Sequence, residues 1–409
     1  MNSTLLAATA PKPTFAERLV RSRLGALGQG ELAFCDGRSA DVFGARTARC
    51  GLQASVRVRD SRFYDEVAYG GSVGAGEAYM LGYWSADDLT AVLRILLQNR
   101  AVLDGLETGV ARLSAPLRRI MHWAARNTRS GSGRNIAAHY DLGNDFFALF
   151  LDPTLMYSSA FFEHPAMTLE EASIAKLERI CHRLALCPSD RVLEIGTGWG
   201  GFALHAASRY GCHVTTTSIS REQYSRARER VKAAGLDARV SLLMEDYRDL
   251  RGRYDKLVSI EMIEAVGHEY LETFFAKCSA LLEDDGAMLL QAITIQDQRY
   301  DAARRSVDFI RKHIFPGSCI PSIAALTRAV ARATDLKLYY LEDIGPHYAT
   351  TLARWRENLL HNAGQARSLG LTEEFLRMWE FYFCYCEAGF AERALGDMQA
   401  LFVKPCARL

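Results

Sequence analysis

The stretch Val192-Leu-Glu-Ile-Gly-Thr-Gly-Trp-Gly-Gly201 constrains the fold more than any other part of the chain. An apolar run enters three glycines spaced Gly-x-Gly-x-Gly, and a helix-forming run follows from Gly201. Glycines so placed let the backbone turn sharply and let a ligand approach it closely. In an open α/β sheet such a turn lies at the carboxyl end of a strand, beside a helix N-terminus. The flanking sequence supplies that sheet. Strands are expected at 191–195, 213–218, 240–245, 256–260 and 287–293, with helices between them. One helix follows a Thr168/Glu171 capping box and carries an apolar stripe at Ile174, Leu177, Ile180 and Leu184; another is capped by Ser220 with Gln223. Strict alternation of this kind predicts a parallel sheet wrapped on both faces.

A Gly-x-Gly-x-Gly loop alone is a weak signal, because dinucleotide enzymes use similar turns. Two details favour S-adenosylmethionine: Glu194 precedes the first glycine inside the strand end, and the spacing is not Gly-x-Gly-x-x-Gly. Met244-Glu-Asp246 ends the third strand, where an acid would accept from an adenine amino group. Beyond residue 295 a polar insertion runs to about 322. Helices are expected near 322–334, 350–366 and 372–398, with a short closing strand at 401–403.

The N-terminal part reads differently. Ala54-Ser-Val-Arg-Val-Arg59 alternates as a strand, glycines 70, 71, 74 and 76 are expected to break the chain, and a helix is expected over 86–99. The polar, glycine-rich Thr128-Arg-Ser-Gly-Ser-Gly-Arg134 reads as a linker. The division is therefore a small α+β domain at 1–130 and a larger domain at 131–409.

Lys and Arg number 49 against 48 Asp and Glu, a net charge of +1, so bulk charge predicts no polyanion partner and no nucleic acid. Arginines 112, 118, 119, 126, 129 and 134 nevertheless fall in one acid-free stretch, with Leu113, Leu117, Ile120, Met121 and Trp123 at helical spacings. A solvated basic face and a contact with anionic lipid headgroups both account for it. No run of 18 apolar residues predicts a membrane span, and Met1–Ala10 lacks the pattern of a signal peptide. Ten cysteines with no Cys-x-x-Cys pair predict reduced thiols in a cytosolic protein, and no structural metal.

The chain resembles the cyclopropane-fatty-acyl-phospholipid synthases and mycolic acid cyclopropane synthases, a branch of the class I S-adenosylmethionine-dependent methyltransferases. The matching stretches are Gly76-Glu-Ala-Tyr-Met-Leu-Gly-Tyr-Trp84, His139-Tyr-Asp-Leu-Gly-Asn-Asp-Phe-Phe147, Met156-Tyr-Ser-Ser-Ala-Phe161, the glycine loop, Asp246-Tyr-Arg-Asp-Leu250, Glu264-Ala-Val-Gly267 and Phe315-Pro-Gly-Ser-Cys-Ile-Pro321. The resemblance implies an α/β, Rossmann-like methyltransferase sheet and a reaction at a cis double bond. The alkene takes the sulfonium methyl, a base removes a proton from that methyl, and a cyclopropane closes. It also implies an unsaturated phospholipid in a membrane as partner, peripheral contact at the inner membrane face, and a homodimer through the N-terminal domain.

In the family the base is a bound bicarbonate held by a glutamate, a histidine, a tyrosine and two backbone amides. Carried over, these fall on Glu264, Gln291, Tyr348, Ser159 (replacing a cysteine) and Ile293. Gln291 in place of histidine is the real departure, since an amide donates a hydrogen bond but carries no charge. Cys386 matches a cysteine near the acyl pocket and is read as a wall of that pocket. Glu261 and Glu387 are extra carboxylates, each a direct base, a group that reshapes the anion site, or a partner of Arg304, Arg305 or another arginine. For the co-substrate the resemblance points to Tyr157, Ser158, Gly196 and Gly198, with Ser218 and Gln223 after strand two and Asp246 at the adenine. The aromatics Trp199, Tyr140, Phe146, Phe147 and 379–385 read as core, or as walls for a lipid tail. Three rivals stand: a methyl- or methylene-branched product, methylation of a small molecule or headgroup, and a lipid sensor without turnover.

Overall fold

The computed structural model describes residues 12–108 and 143–408. The arginine-rich stretch, the expected linker, His139 and Tyr140 lie outside those residues. The described chain forms two units, one from residues 12–108 with Glu373–Phe381 and one from 143–372 with 382–408.

The first unit carries a four-stranded sheet. Strands β1 (Gly30–Cys35), β2 (Ala40–Ala45), β3 (Gln53–Val58) and β4 (Trp84–Ala86) lie in the order β2-β1-β3-β4. Only β1 and β3 run parallel. Residues 62–80 do not break into a loop. They form one helix, Arg62–Met80, kinked at Gly71, whose φ of 62° is a left-handed value that glycine adopts without strain. Helices Leu89–Gln98 and Arg100–Thr108 follow.

The second unit holds seven strands in the order β10-β11-β9-β8-β5-β6-β7. Strands β5 (Arg191–Ile195), β6 (His213–Thr217), β7 (Val240–Leu243), β8 (Tyr254–Ile260) and β9 (Leu282–Ile295) are parallel. Strands β10 (Lys337–Asp343) and β11 (Leu395–Val403) are antiparallel additions beside β9. Alternate residues of the central strands face opposite layers. Leu193, Leu257, Met288 and Leu290 join one core, while Val192, Val258, Leu289 and Leu401 join the other. Burial on both faces is what a helix-covered parallel sheet requires.

The Thr168/Glu171 capping box forms and opens the helix Leu169–Arg183. Leu177, Ile180 and Leu184 of its expected stripe are buried, whereas Ile174 is exposed. Ser220 caps Arg221–Ala233 by accepting from the Gln223 amide. Two expectations fail near the C-terminus. The last helix stops at Ala391, and the strand begins at Leu395 instead of 401. Arg393 adopts a left-handed φ of 52°, which ends the helix, and the apolar run from Met398 is buried by pairing with β9. The edge strand β10 was absent from the sequence reading, because its Leu338 and Tyr339 face outward and blur the alternation.

Candidate active site

The site is built on the carboxyl ends of the parallel strands. After β5 the chain turns through Gly196, Gly198 and Gly200, all with positive φ (104°, 51° and 85°). A side chain at Gly196 would meet Met262 at 3.3 Å, while one at Gly198 would meet nothing within 4 Å. The turn is therefore tight below and open above, which suits a ligand lying on its backbone. Glu194 is sealed inside the strand end. Its Oε2 accepts from the Thr216 hydroxyl at 2.7 Å, and burial pushes its pKa up to about 8. The Ser218 hydroxyl accepts from the Ser220 amide and lies 3.3 Å from Gln223 Oε1. The Asp246 carboxylate binds the Arg248 guanidinium at 2.6 Å.

The second half of the site centres on Glu261, the residue directly after β8. Its Oε1 accepts from the Ser159 amide and from Gln291 Nε2, both at 2.8 Å. Its Oε2 accepts from the Tyr348 hydroxyl at 2.7 Å. The backbone that delivers it is unusual, since Glu261 has a φ of 47° in the left-handed region. A non-glycine residue there costs about 1–2 kcal/mol and persists only where its surroundings hold it. One holding contact is the Glu261 amide, which donates to the Gln291 carbonyl at 2.8 Å.

Glu264 follows in a short 3-10 turn, Ile263–Ala265. Its Oε1 accepts from the Ile293 amide at 2.6 Å, while its buried Oε2 has no partner among the described residues. Withdrawal from water, then the charge of Glu261, pushes Glu264 up to about 8. Tyr348 stacks on Phe390 with centroids 4.5 Å apart, and its pKa stands well above the ordinary phenol value because it is buried. The Lys176 ammonium is fully buried and donates to Ser158 Oγ at 2.6 Å; burial lowers its pKa to about 8. Asp397 on β11 completes the cluster, its Oδ2 accepting from Gln291 Nε2 at 3.0 Å.

Aromatic rings line the neighbourhood. Tyr157 packs against Phe147, Phe150 and Trp355 with centroids 5.2–6.0 Å apart, and its hydroxyl lies 3.0 Å from that of Tyr382. Phe383 packs on Phe150 and Trp355. Trp199 stacks near Phe147 at 4.9 Å and donates to Asn144 at 2.6 Å, so it packs the turn. The structure thus offers a polar glycine turn, a dry carboxylate cluster and apolar aromatic walls.

The family model "Mycolic acid cyclopropane synthetase" matches residues 127–400. The chain belongs to this family. Tuberculostearic acid methyltransferase UfaA1 of Mycobacterium tuberculosis is 41% identical over 352 residues, covering 82% of this chain and 79% of that protein. Cyclopropane-fatty-acyl-phospholipid synthase of Escherichia coli K12 is 38% identical over 360 residues, covering 85% and 87%. Among solved structures, mycolic acid cyclopropane synthase CmaA1 complexed with SAH and CTAB superposes with a TM-score of 0.63 at 33% identity, over 66% of this chain and 98% of that one. As a member of the family the chain is an S-adenosylmethionine-dependent methyltransferase of the cyclopropane-synthase type.

Of the family positions, Ser159, Gln291 and Tyr348 do converge, but on Glu261 and not on a shared space beside Glu264. Glu264 and the Ile293 amide pair with each other. Cys386 is half-buried, makes no hydrogen bond to this cluster among the described residues, and has its thiol pKa raised by burial. Glu387 is bound by Arg356 at 3.2 Å. Of the two extra carboxylates, Glu387 thus pairs with an arginine, whereas Glu261 takes the three donors described above. Lys176 and Asp397 were absent from the sequence reading. Lys176 sits on the inward face of an amphipathic helix, a place where a lysine stands out. Asp397 was hidden by the helix expected over 372–398.

Proposed function

We propose that this chain transfers the methyl carbon of S-adenosylmethionine to the cis double bond of a phospholipid acyl chain and closes a cyclopropane, with Glu261 as the base. The observation that carries this reading is the convergence of three donors on one carboxylate beside aromatic walls. Bound S-adenosylmethionine supplies an electrophilic methyl group, and the open face of Gly198 with Tyr157 and Ser158 suits its methionine end.

The residues do not fit a separate bicarbonate. Every donor that would hold it is engaged, three on Glu261 and the Ile293 amide on Glu264. Glu261 stands in for that anion. Its Oε1 is filled by two donors, but among the described residues Oε2 accepts only from Tyr348, which leaves one lone pair. Gln291, Asp397 and Lys176 are fully buried, whereas Glu261 is only partly so. The alkene pair forms the new bond to the methyl carbon while the S–CH3 pair returns to sulfur, so that S-adenosylhomocysteine leaves and a cation remains on the acyl chain. Glu261 Oε2 takes a proton from that methyl, and the freed C–H pair closes the ring. Aromatic walls keep water from capturing the cation and face it with π-electrons.

A second reading is favoured by the 41% identity to a tuberculostearic acid methyltransferase. The same cation would then lose a different proton and give a branched chain. Phospholipid chains are available at a bilayer, and no described helix is long and apolar enough to cross one. Peripheral docking at the inner membrane face through residues 112–134, and a homodimer, belong to the same proposal. Fatty acids from a host rich in cis-unsaturated phospholipids, with and without the protein, test the chemistry. A product heavier by one CH2 (about 14 mass units) that resists mild hydrogenation is a cyclopropane. A product that takes up hydrogen assigns the branched reading.

A further inference from the structure

Gln291 can serve Glu261 in only one of its two orientations. A glutamine side chain ends in an oxygen that accepts and an NH2 that donates, and the two are close in size. The NH2 of Gln291 donates to Glu261 Oε1 at 2.8 Å and to Asp397 Oδ2 at 3.0 Å. Turned over, the same side chain would aim its oxygen at two carboxyl groups, and Glu261 would lose one of its three donors.

A row of side chains sets the direction from the far side. Glu342 on β10, Gln399 on β11 and Gln291 on β9 are register partners across three neighbouring strands. Both glutamines are sealed from water. Arg179, on the helix Leu169–Arg183, reaches this row. Its guanidinium is tied to Glu342, donates to the Tyr340 hydroxyl at 3.3 Å and covers the Phe161 ring at 4.5 Å. So held, Arg179 Nε donates to Gln399 Oε1 at 3.1 Å, and Gln399 Nε2 donates to Gln291 Oε1 at 3.1 Å. Arginine has donors only, so the oxygen of Gln399 must face it. The NH2 of Gln399 then faces Gln291 and requires an oxygen there, which leaves the NH2 of Gln291 for Glu261. Reversing either amide would set donor against donor in a dry interior.

We propose that Gln399, oriented by Arg179, is a positioning residue for the methyl-transfer chemistry: it locks the Gln291 amide with its NH2 toward Glu261 and so keeps the third donor on the base. This rests on Glu261 being the base. The lock meets a need that the glutamine at position 291 itself creates, since an amide offers a carboxylate either oxygen or nitrogen. It also leaves the reactive oxygen untouched, because Gln291 acts on Oε1 while Oε2 faces Tyr348.

The test uses the full chain with S-adenosylmethionine and vesicles of cis-unsaturated phospholipid. Gln399→Met fills similar space without holding the Gln291 oxygen. Its kcat is expected to fall about tenfold, the scale of one hydrogen bond to a charged group, while KM for S-adenosylmethionine stays within about twofold. In a Gln291→Leu background, which keeps the Ser159 and Tyr348 donors on Glu261, the same substitution is expected to change kcat by less than about twofold, because the amide it directs is gone. Arg179→Met, at a partly exposed position, is expected to lower kcat severalfold, again only where Gln291 is present. It carries the same comparison if calorimetry finds that Gln399→Met no longer binds S-adenosylmethionine. Equal losses in both backgrounds, a loss confined to KM, or wild-type kcat in the single variants would each overturn the proposal. An active Glu261→Gln enzyme would instead overturn the assignment of the base.

Discussion

Two adjacent parallel strands, β5 and β8, each place a glutamate at the carboxyl end, and the two glutamates live in opposite conditions. Glu194, the penultimate residue of β5, takes a hydroxyl donor from Thr216 and is sealed from solvent. Glu261 follows β8 with three donors and a half-open face. Burial raises the proton affinity of both, and at Glu261 the charge of Lys176 and then the three donors oppose that rise. The lesson is that depth alone does not make a base; a base needs enough donors to stay ionised and one lone pair left for substrate.

The largest effect expected to separate the two is on turnover. Glu261→Gln should lower kcat/KM by about 10³-fold while S-adenosylmethionine binding, followed by calorimetry, persists. Glu194→Gln should change turnover less than about tenfold, and equal losses would erase the distinction. Next comes Tyr348→Phe, which removes a hydrogen bond to a charged group and should cost about 10- to 100-fold in kcat/KM, with Tm little changed.

Stability sharpens the comparison from the other side. Glu194 and Glu264 bind a proton more tightly when folded, with pKa values near 8 against an ordinary 4.5. The folded state therefore loses stability relative to the unfolded chain as pH rises from 4.5 to 8, and none is lost below 4.5. Glu264→Gln should accordingly raise stability by about 2–4 kcal/mol at pH 8 and by almost nothing at pH 4.5. Thermal melts across that window read it, and a gain that grows toward acid pH would reverse the assignment. The smallest effect concerns docking. Salt-sensitive binding to anionic vesicles should weaken severalfold when Arg118, Arg119 and Arg126 become glutamate. Unchanged binding would remove residues 112–134 from consideration.

The two ends of the site were unequally legible in the sequence. The glycine turn is contiguous, and its strand and helix follow from local pattern, so β5 and its neighbours stand where periodicity places them. The carboxylate cluster draws on Ser159, Lys176, Glu261, Gln291, Tyr348 and Asp397, which are joined only by folding. The resemblance brought Ser159, Gln291 and Tyr348 forward and marked Glu261 as an extra acid, but no local rule says that all three turn toward it. Asp397 was lost for a specific reason. An apolar run after a long helix reads as more helix, and only pairing with β9 makes it a strand. The glycines at 70–76 failed in the opposite sense, since helix packing absorbed three of them and needed a left-handed turn only at Gly71.

The left-handed backbone at Glu261 carries one more consequence. Position 261 is a place where glycine would relax the main chain and leave behind a vacant socket the size of a carboxylate, still ringed by the Ser159 amide, Gln291 and Tyr348. A Glu261→Gly enzyme should therefore be dormant yet responsive to added formate or acetate, with activity rising and saturating as the free anion fills the gap. The shape of the main chain at this one residue makes the reactive group separable from the protein that holds it.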